Sequence, residues 1–450
     1  MSLRAAVLLA ALAAPAAAEP PLLRVTLAQA EAEVRAHSPE RKAAAELSAA
    51  ARDRAGASFS ALVPRLTLDG YYRYQTEIPE LSVVPGAPAK PFGDHRATSI
   101  GPTVTWTLWD EGGLSKTWRA QRSRAKSQEE AERLTDSQAT LGARLAYIQV
   151  QLAREQVRQL ADSAGLADAE YRDIERRLQA GAASRIDLLS AHQDALSRRK
   201  EFLQAQSELG GSLRELLRLT GRTWPLDLTR PIDERVSTST PSGLPEPTLR
   251  VSLDDLNETA PALAAAERGT LDAAHPRVLI YQRQEEAARL SAAGAAAGNW
   301  PKIALSAGAA YQYPNGPALE SVTQKTVGLT ASVPLFDMRQ TARLTDEQNR
   351  LAGAAGFQRD LAAEQLSRDW DQARVALASL RAQSGLDERS VAETEELSRL
   401  VYRSYQSGSS SYLEVQSANL RALQAKTSAA RTRAQILIQL ATLAQLAVQG

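Results

Sequence analysis

The strongest constraint on this chain is that it contains its own pattern twice. Ser38-Pro39-Glu40 matches His275-Pro276-Arg277, and Val63-Pro64-Arg65-Leu66-Thr67-Leu68 matches Trp300-Pro301-Lys302-Ile303-Ala304-Leu305, each pair 237 residues apart. Gly101-Pro102-Thr103-Val104 then matches Gly328-Leu329-Thr330-Ala331, Leu108-Trp109-Asp110 matches Leu335-Phe336-Asp337, and Gly181 matches Gly408, now 227 residues apart. One ten-residue difference between residues 75 and 98 accounts for the change of offset. A period above two hundred residues is no solenoid repeat; it reads as a duplicated half-protein. The halves are placed at 19–221 and 271–450, with a connector at 222–270 where prolines cluster.

Each half carries the same order of elements. An alanine-rich helix (about 38–62, and 275–298) stops at Pro64 or Pro301, because proline lacks a donor and disfavours helix at the residue before it. Period-two alternation follows. Leu66, Leu68, Gly70, Tyr72 and Tyr74 fall on one side, and Ile100, Val104, Trp106 and Leu108 repeat the pattern, predicting strands at about 64–75 and 98–109. The second half predicts strands at about 301–313 (Ile303, Leu305, Ala307, Ala309, Tyr311) and 326–336 (Val327, Leu329, Ala331, Val333, Leu335). A long proline-free helical hairpin comes next, at 113–178 with 184–219, and at 338–405 with 411–447. Leu134, Leu141 and Ile148 recur every seven residues, with Leu145 and Leu152 between them, as in a coiled-coil seam. Gly181-Ala182-Ala183-Ser184 and Gly408-Ser409-Ser410-Ser411 mark the hairpin tips. The long helix of each half is expected to pack along two shorter ones stacked end to end.

The strands limit where such a chain can reside. Twelve residues at about 3.3 Å each reach about 40 Å, enough to cross a bilayer even when tilted. Their faces alternate apolar and polar, with aromatic residues towards the ends, as a wall between lipid and water requires. Four strands cannot close a barrel, and an open edge in lipid leaves backbone groups unsatisfied at several kcal/mol each. Copies of the chain would therefore share one barrel, with two, three or four copies all geometrically open. A soluble four-stranded sheet at the end of a helical rod is the plainer alternative.

Composition removes other classes. Arg4, the apolar run Ala5 to Ala14 and Ala16-Ala17-Ala18 fit a secretory signal peptide at 1–18. With 53 Lys+Arg against 52 Asp+Glu the chain lacks the basic excess of a nucleic-acid binder, so no nucleic-acid partner is expected. Zero cysteine removes thiol chemistry and Cys-ligated metals, and the four histidines show no ligand spacing. No GxSxG, HExxH or phosphate-loop motif is present, so neither an enzyme nor a cofactor is expected. Two methionines give no support for a thioether-lined duct for soft metals.

Two repeats of helix, strand, strand and long helical hairpin are similar to the TolC family of outer-membrane efflux proteins. The motifs that carry the resemblance are Pro64-Arg65-Leu66, Pro301-Lys302-Ile303, Pro334-Leu335-Phe336-Asp337 and the segments 181–189 and 405–415. The resemblance implies a mainly α protein with a membrane β-barrel: a homotrimer sharing a twelve-strand barrel in outer-membrane lipid and a twelve-helix periplasmic tunnel. It would be the exit duct of a tripartite efflux or type I secretion system, coupled to an inner-membrane transporter through a periplasmic adaptor. The alternative is a periplasmic coiled-coil adaptor or structural protein, although an adaptor needs one hairpin rather than a duplicated strand pair.

The resemblance also implies a pore constriction. Asp187 and Glu414 occupy the family's positions for inward carboxylate rings at the closed end of the tunnel, and Tyr405 a position that joins inter-helix hydrogen bonds. Ser417 stands where the family often has a second aspartate, and Ser410 where it often has a basic residue, a departure from the usual charge network. Gly181, Ser184, Gly408 and Ser411 at the tips are the expected adaptor contacts. Read from the residues alone, Asp187 and Glu414 are also the carboxylates that a helix start favours.

Overall fold

A short strand β1 (Leu22–Arg24), helices α1 (Leu27–His37) and α2 (Pro39–Phe59), strands β2 (Arg65–Tyr74), β3 (Glu80–Leu81), β4 (Lys90–Pro91) and β5 (Arg96–Trp109), and helices α3 (Gly113–Gln179) and α4 (Arg185–Thr220) form the first half. Then come β6 (Arg250–Ser252), α5 (Leu256–Ala264), α6 (Pro276–Ala296), β7 (Lys302–Tyr313), β8 (Val322–Ser332), α7 (Gln340–Gln406) and α8 (Tyr412–Leu446). The computed structural model describes residues 22–78, 80–81, 90–91, 93–222 and 250–447. The expected signal peptide at 1–18 and residues 223–249 of the expected connector lie outside them. The chain divides into two compact units: 39–136 with 273–368, and 1–38 with 137–272 and 369–450.

The first of these units holds a sheet of four long strands. Their order is β2-β5-β7-β8, antiparallel throughout, so the two repeats meet at the central β5–β7 pair and leave β2 and β8 as edges. Register aligns the alternation across all four strands. Leu66, Val104, Ala307 and Val327 form one row, and Thr67, Thr103, Gly308 and Thr326 form the row beside it on the opposite face. Among the described residues the apolar face has no cover: Leu66 is 69% exposed, Leu68 72% and Val327 79%. Where β5 crosses β7, a Cβ on Gly101 would collide with the Ala309 carbonyl, so only glycine fits. The α2 end is fixed to the sheet by a hydrogen bond from Trp106 Nε1 to the Leu62 carbonyl (3.1 Å). Helix α3 packs on α6 through Ser123 and Ser127, whose hydroxyls donate to the carbonyls of Arg283 (2.9 Å) and Ile280 (3.1 Å).

The second unit is helical, with a two-stranded parallel sheet of β1 and β6. Tyr147 on α3 is fully buried and donates its hydroxyl to the Val25 carbonyl (3.1 Å), while receiving the Asp254 backbone N–H (3.1 Å). Arg222, beyond α4, pairs with Glu33 on α1 at 2.7 Å.

Several expectations need correction. The leucine seam is not the core line of α3: Leu134, Leu141, Leu145 and Leu152 are half-buried and only Ile148 is fully covered. The buried heptad is Ala143, Val150, Val157 and Ala164, because small side chains let helices approach closely and hide completely. The first helix was expected to begin at 38, but α1 precedes it, opened by a capping box between Thr26 and Gln29. The connector is not wholly irregular: α5 contains Pro261, and a second box between Asp255 and Glu258 starts it. β8 runs Val322–Ser332 rather than 326–336, leaving Val333 and Leu335 beyond its end, since Pro334 cannot donate to a ladder. β5 starts two residues early, where Arg96 pairs with Tyr74. A register shift between Thr107 and Trp109 puts Trp109, not Leu108, opposite Ile303.

Candidate functional site at the hairpin tips

Both long hairpins end in the same backbone device. Gly181 has φ 72° and Gly408 φ 79°, a left-handed conformation that a side chain disfavours. The Gly181 N–H donates to the Leu178 carbonyl (3.0 Å) and the Ala182 N–H to Arg177 (2.7 Å). At the second tip, Gly408 donates to Tyr405 (3.0 Å) and Ser409 to Ser404 (2.9 Å). These paired bonds satisfy carbonyls that every helix end leaves open.

The returning helices start with their expected residues in place. Ser184 Oγ accepts the Asp187 N–H (3.1 Å), and Asp187 Oδ2 accepts both the Ser184 N–H (3.2 Å) and its hydroxyl (2.7 Å). Glu414 Oε2 accepts the Ser411 N–H at 3.3 Å. Both carboxylates thus sit at the third helical position, where they close a capping box and face the positive end of the helix dipole. Gly181, Ser184, Gly408, Ser411 and Glu414 are exposed, while Asp187, Tyr405 and Ser417 are half-buried. Ser410 Oγ donates to Ser404 Oγ (2.8 Å), so the residue at the family's basic position closes a local serine contact.

Tyr405 lies against two neighbours. Its ring is 5.6 Å from that of Tyr412, and the Arg177 guanidinium stands 5.9 Å from its centroid. Burial raises its hydroxyl above the ordinary phenol value, the Asp187 charge adds to this, and Arg177 opposes it. Among the described residues no hydrogen bond joins Tyr405 to Asp187 or Glu414. The inter-helix bond comes instead from Tyr402, one turn earlier, whose hydroxyl donates to Asp173 Oδ2 (3.2 Å); Asp173 also pairs with Arg177 (2.9 Å).

Behind the tips lies a core that sequence reasoning missed. Ile174, Ala191, Tyr412 and Val415 are buried together, with Tyr171, Leu188, Val401, Tyr402 and Tyr405 packed on them. Glu170 is also buried, and accepts from Tyr412 Oη (3.2 Å) and Asn419 Nδ2 (2.9 Å). Its carboxyl is pushed up to about 7, chiefly by burial, against the lowering effect of those two hydrogen bonds. The available signal was a lone carboxylate on the small-residue face of α3, between Ala167 and Ile174.

Among the described residues no helix is long and apolar enough to cross a membrane, and no acidic or histidine cluster could hold a metal. The exposed apolar face of the sheet is the surface suited to lipid. The model of the family described as outer membrane efflux protein matches residues 30–222 and 251–447, one stretch per repeat. No curated protein matches the chain by sequence. Among solved structures the chain is similar to CusC, described with transmembrane channel formation, at 18% identity over 94% of this chain and 92% of that one, TM-score 0.74. It is similar to the outer membrane channel CmeC of Campylobacter jejuni, at 15% identity over 93% and 85%, TM-score 0.72. It is also similar to the outer membrane protein VceC of Vibrio cholerae, at 17% identity over 93% and 95%, TM-score 0.71. The duplicated strand pair and hairpin are shared features of one fold, and the adaptor alternative is not favoured. The chain belongs to the outer membrane efflux protein family and serves as an exit duct in the outer membrane.

Proposed function

We propose that three copies of the chain share one twelve-strand barrel, continued by twelve periplasmic helices, and pass substrate from an inner-membrane transporter and its periplasmic adaptor to the outside. The observation that carries this reading is the four-stranded sheet with an uncovered apolar face and two unpaired edges, β2 and β8. Edge groups left open in lipid cost several kcal/mol each, and pairing β8 of one copy with β2 of the next removes that cost. A second feature supports self-association. Leu189, Leu196 and Leu203 on α4 are 60%, 50% and 49% exposed and lie seven residues apart, a heptad stripe left uncovered by the described residues of one chain. The deciding experiment is the mass of the detergent-extracted protein from separated outer membranes. A mass near three mature chains is expected; two or four copies would overturn the trimer, and a soluble monomer would overturn the shared barrel.

The tips are then the periplasmic end of the duct. In this reading the Asp187 and Glu414 carboxylates form rings at the constriction, where like charges with little intervening water attract cations, with Ser417 and Tyr405 beside them. Neutralising both (Asp187→Asn with Glu414→Gln) is expected to reduce cation preference in bilayer recordings; an unchanged preference leaves them as caps only. Gly181, Ser184, Gly408 and Ser411 present the small, exposed surface on which the adaptor docks.

A further inference from the structure

We propose that Glu170 is a proton-controlled clamp on the hairpin ends: neutral, it locks α3 to α8 and through it to α7; ionised, it loosens them. The geometry is a chain of polar groups running from the buried Glu170 and Tyr412 to the half-buried Asn419 and Ser398. Tyr412 Oη donates to Glu170 Oε2, Asn419 Nδ2 donates to Oε1, and Asn419 Oδ1 in turn accepts from Ser398 Oγ on α7 (2.5 Å). Tyr412 is 1% exposed and stands in the hydrophobic cluster of the tip, so this link joins the apolar core to the polar one.

What the site lacks is a cation. Among the described residues no lysine or arginine lies within ion-pair distance of Glu170. The charged and titratable groups around it are acidic or phenolic or already engaged. On α3 itself Asp173 is held by Arg176 and Arg177; on α4 Asp194 is held by Arg198, which also reaches Glu201 (3.0 Å). His192 of α4 stacks on Tyr171, with ring centroids 5.0 Å apart. Helix α7 supplies Tyr402 and Tyr405, and α8 supplies Tyr412 and Asn419. The carboxylates of Asp173 and Asp194 both act to keep Glu170 protonated, and burial of Asp194 raises its own carboxyl too, with Arg198 opposing. A buried ionised carboxylate without a cation is costly even with two hydrogen bonds, and here burial outweighs those bonds in favour of the neutral acid. In the neutral acid the carbonyl oxygen Oε1 keeps the Asn419 bond.

The sign follows from linkage. A carboxyl raised in the packed state binds its proton there more tightly than in the loosened state. The clamp is therefore fully effective below the ordinary value of 4.5 and is lost as pH rises through about 7. The functional consequence rests on the reading of the tips as the closed end of the duct: the closed state weakens as the periplasmic side becomes less acidic.

Three measurements on the full-length purified protein test this. Infrared difference spectra between about pH 5.5 and about pH 8.5 are expected to show a protonated-carboxyl stretch that disappears on alkalinisation and is missing from Glu170→Gln. Deuterium uptake by the C-terminal turns of α3 and the first turns of α8, corrected for intrinsic exchange, should rise by up to about tenfold per pH unit between pH 4.5 and about 7. Glu170→Gln should hold those segments protected at both ends of the range, and Tyr412→Phe should leave the fold intact while weakening protection at low pH. A carboxyl band unchanged in Glu170→Gln, or uptake with the same pH profile in wild type and variant, overturns the clamp. Bilayer conductance should rise with pH in the wild type and not in Glu170→Gln. If uptake changes as stated and conductance does not, the clamp stands and the closed-tip reading falls.

Discussion

The two hairpin tips share a backbone and differ in what they bury. At each, a left-handed glycine is followed by a serine three residues on and a carboxylate six residues on. The residue after that serine is Arg185 in the first tip, which is exposed, and Tyr412 in the second, which is buried. Glycine and capping chemistry therefore set the turn, while the residue after the cap decides whether the first position of the returning helix enters the core. Both hairpins contribute to the core behind the tips, but only the second starts its returning helix with a buried aromatic.

The largest expected effect tests the turn as a docking surface. Gly408→Trp should abolish export while leaving the oligomer intact, whereas Gly408→Ala imposes the same backbone strain with nothing within 4 Å to clash and should retain transport. Export surviving the tryptophan would remove the second tip from the contact. Next, Tyr412→Ala should destabilise the tip by about 3–5 kcal/mol, as for a large aromatic lost from a core, and Arg185→Ala by less than about 0.5 kcal/mol. Limited proteolysis at the two turns reads this directly; equal sensitivity would erase the difference between the tips. Gly181→Ala and Gly408→Ala should each cost about 1 kcal/mol from the left-handed backbone alone, measured by thermal unfolding of the purified protein. The smallest change is Ser184→Ala, which opens the box to Asp187 at a cost of about 1 kcal/mol or less, visible as faster exchange in the first turn of α4.

Much of the fold was legible. The apolar sets Leu66–Tyr74 and Ile303–Tyr311 do share one sheet face, because a period of two has only two phases and register cannot blur it. The TolC-family resemblance rested on order and duplication, and the family match covers both repeats. Helix seams were less legible. Leucines stand out in a sequence, but alanine packs helices more closely, and Ala143, Val150, Val157 and Ala164 carry no mark that separates them from other alanines and valines of α3. α1 and α5 were missed although Thr26 with Gln29 and Asp255 with Glu258 spell capping boxes, the second masked by Pro261. At the hairpin tips, Asp187, Glu414, Ser184 and Ser411 were singled out from the sequence and lie in the capping boxes, whereas Glu170, Tyr412 and Asn419 were not singled out. Their partners lie 242 and 249 residues away in the chain, and no local pattern announces such a meeting.

The sequence by itself determined the duplication, the alternation of the strands and the chemistry of the turns, since each follows from spacing and local propensity within a few residues. Only the tertiary structure decided that the repeats join at β5 and β7, leaving two edges open, and that a carboxylate with no cation is enclosed between three helices. Both arise from contacts between distant segments, where burial and pairing are settled by the whole packing and by no single stretch of the chain.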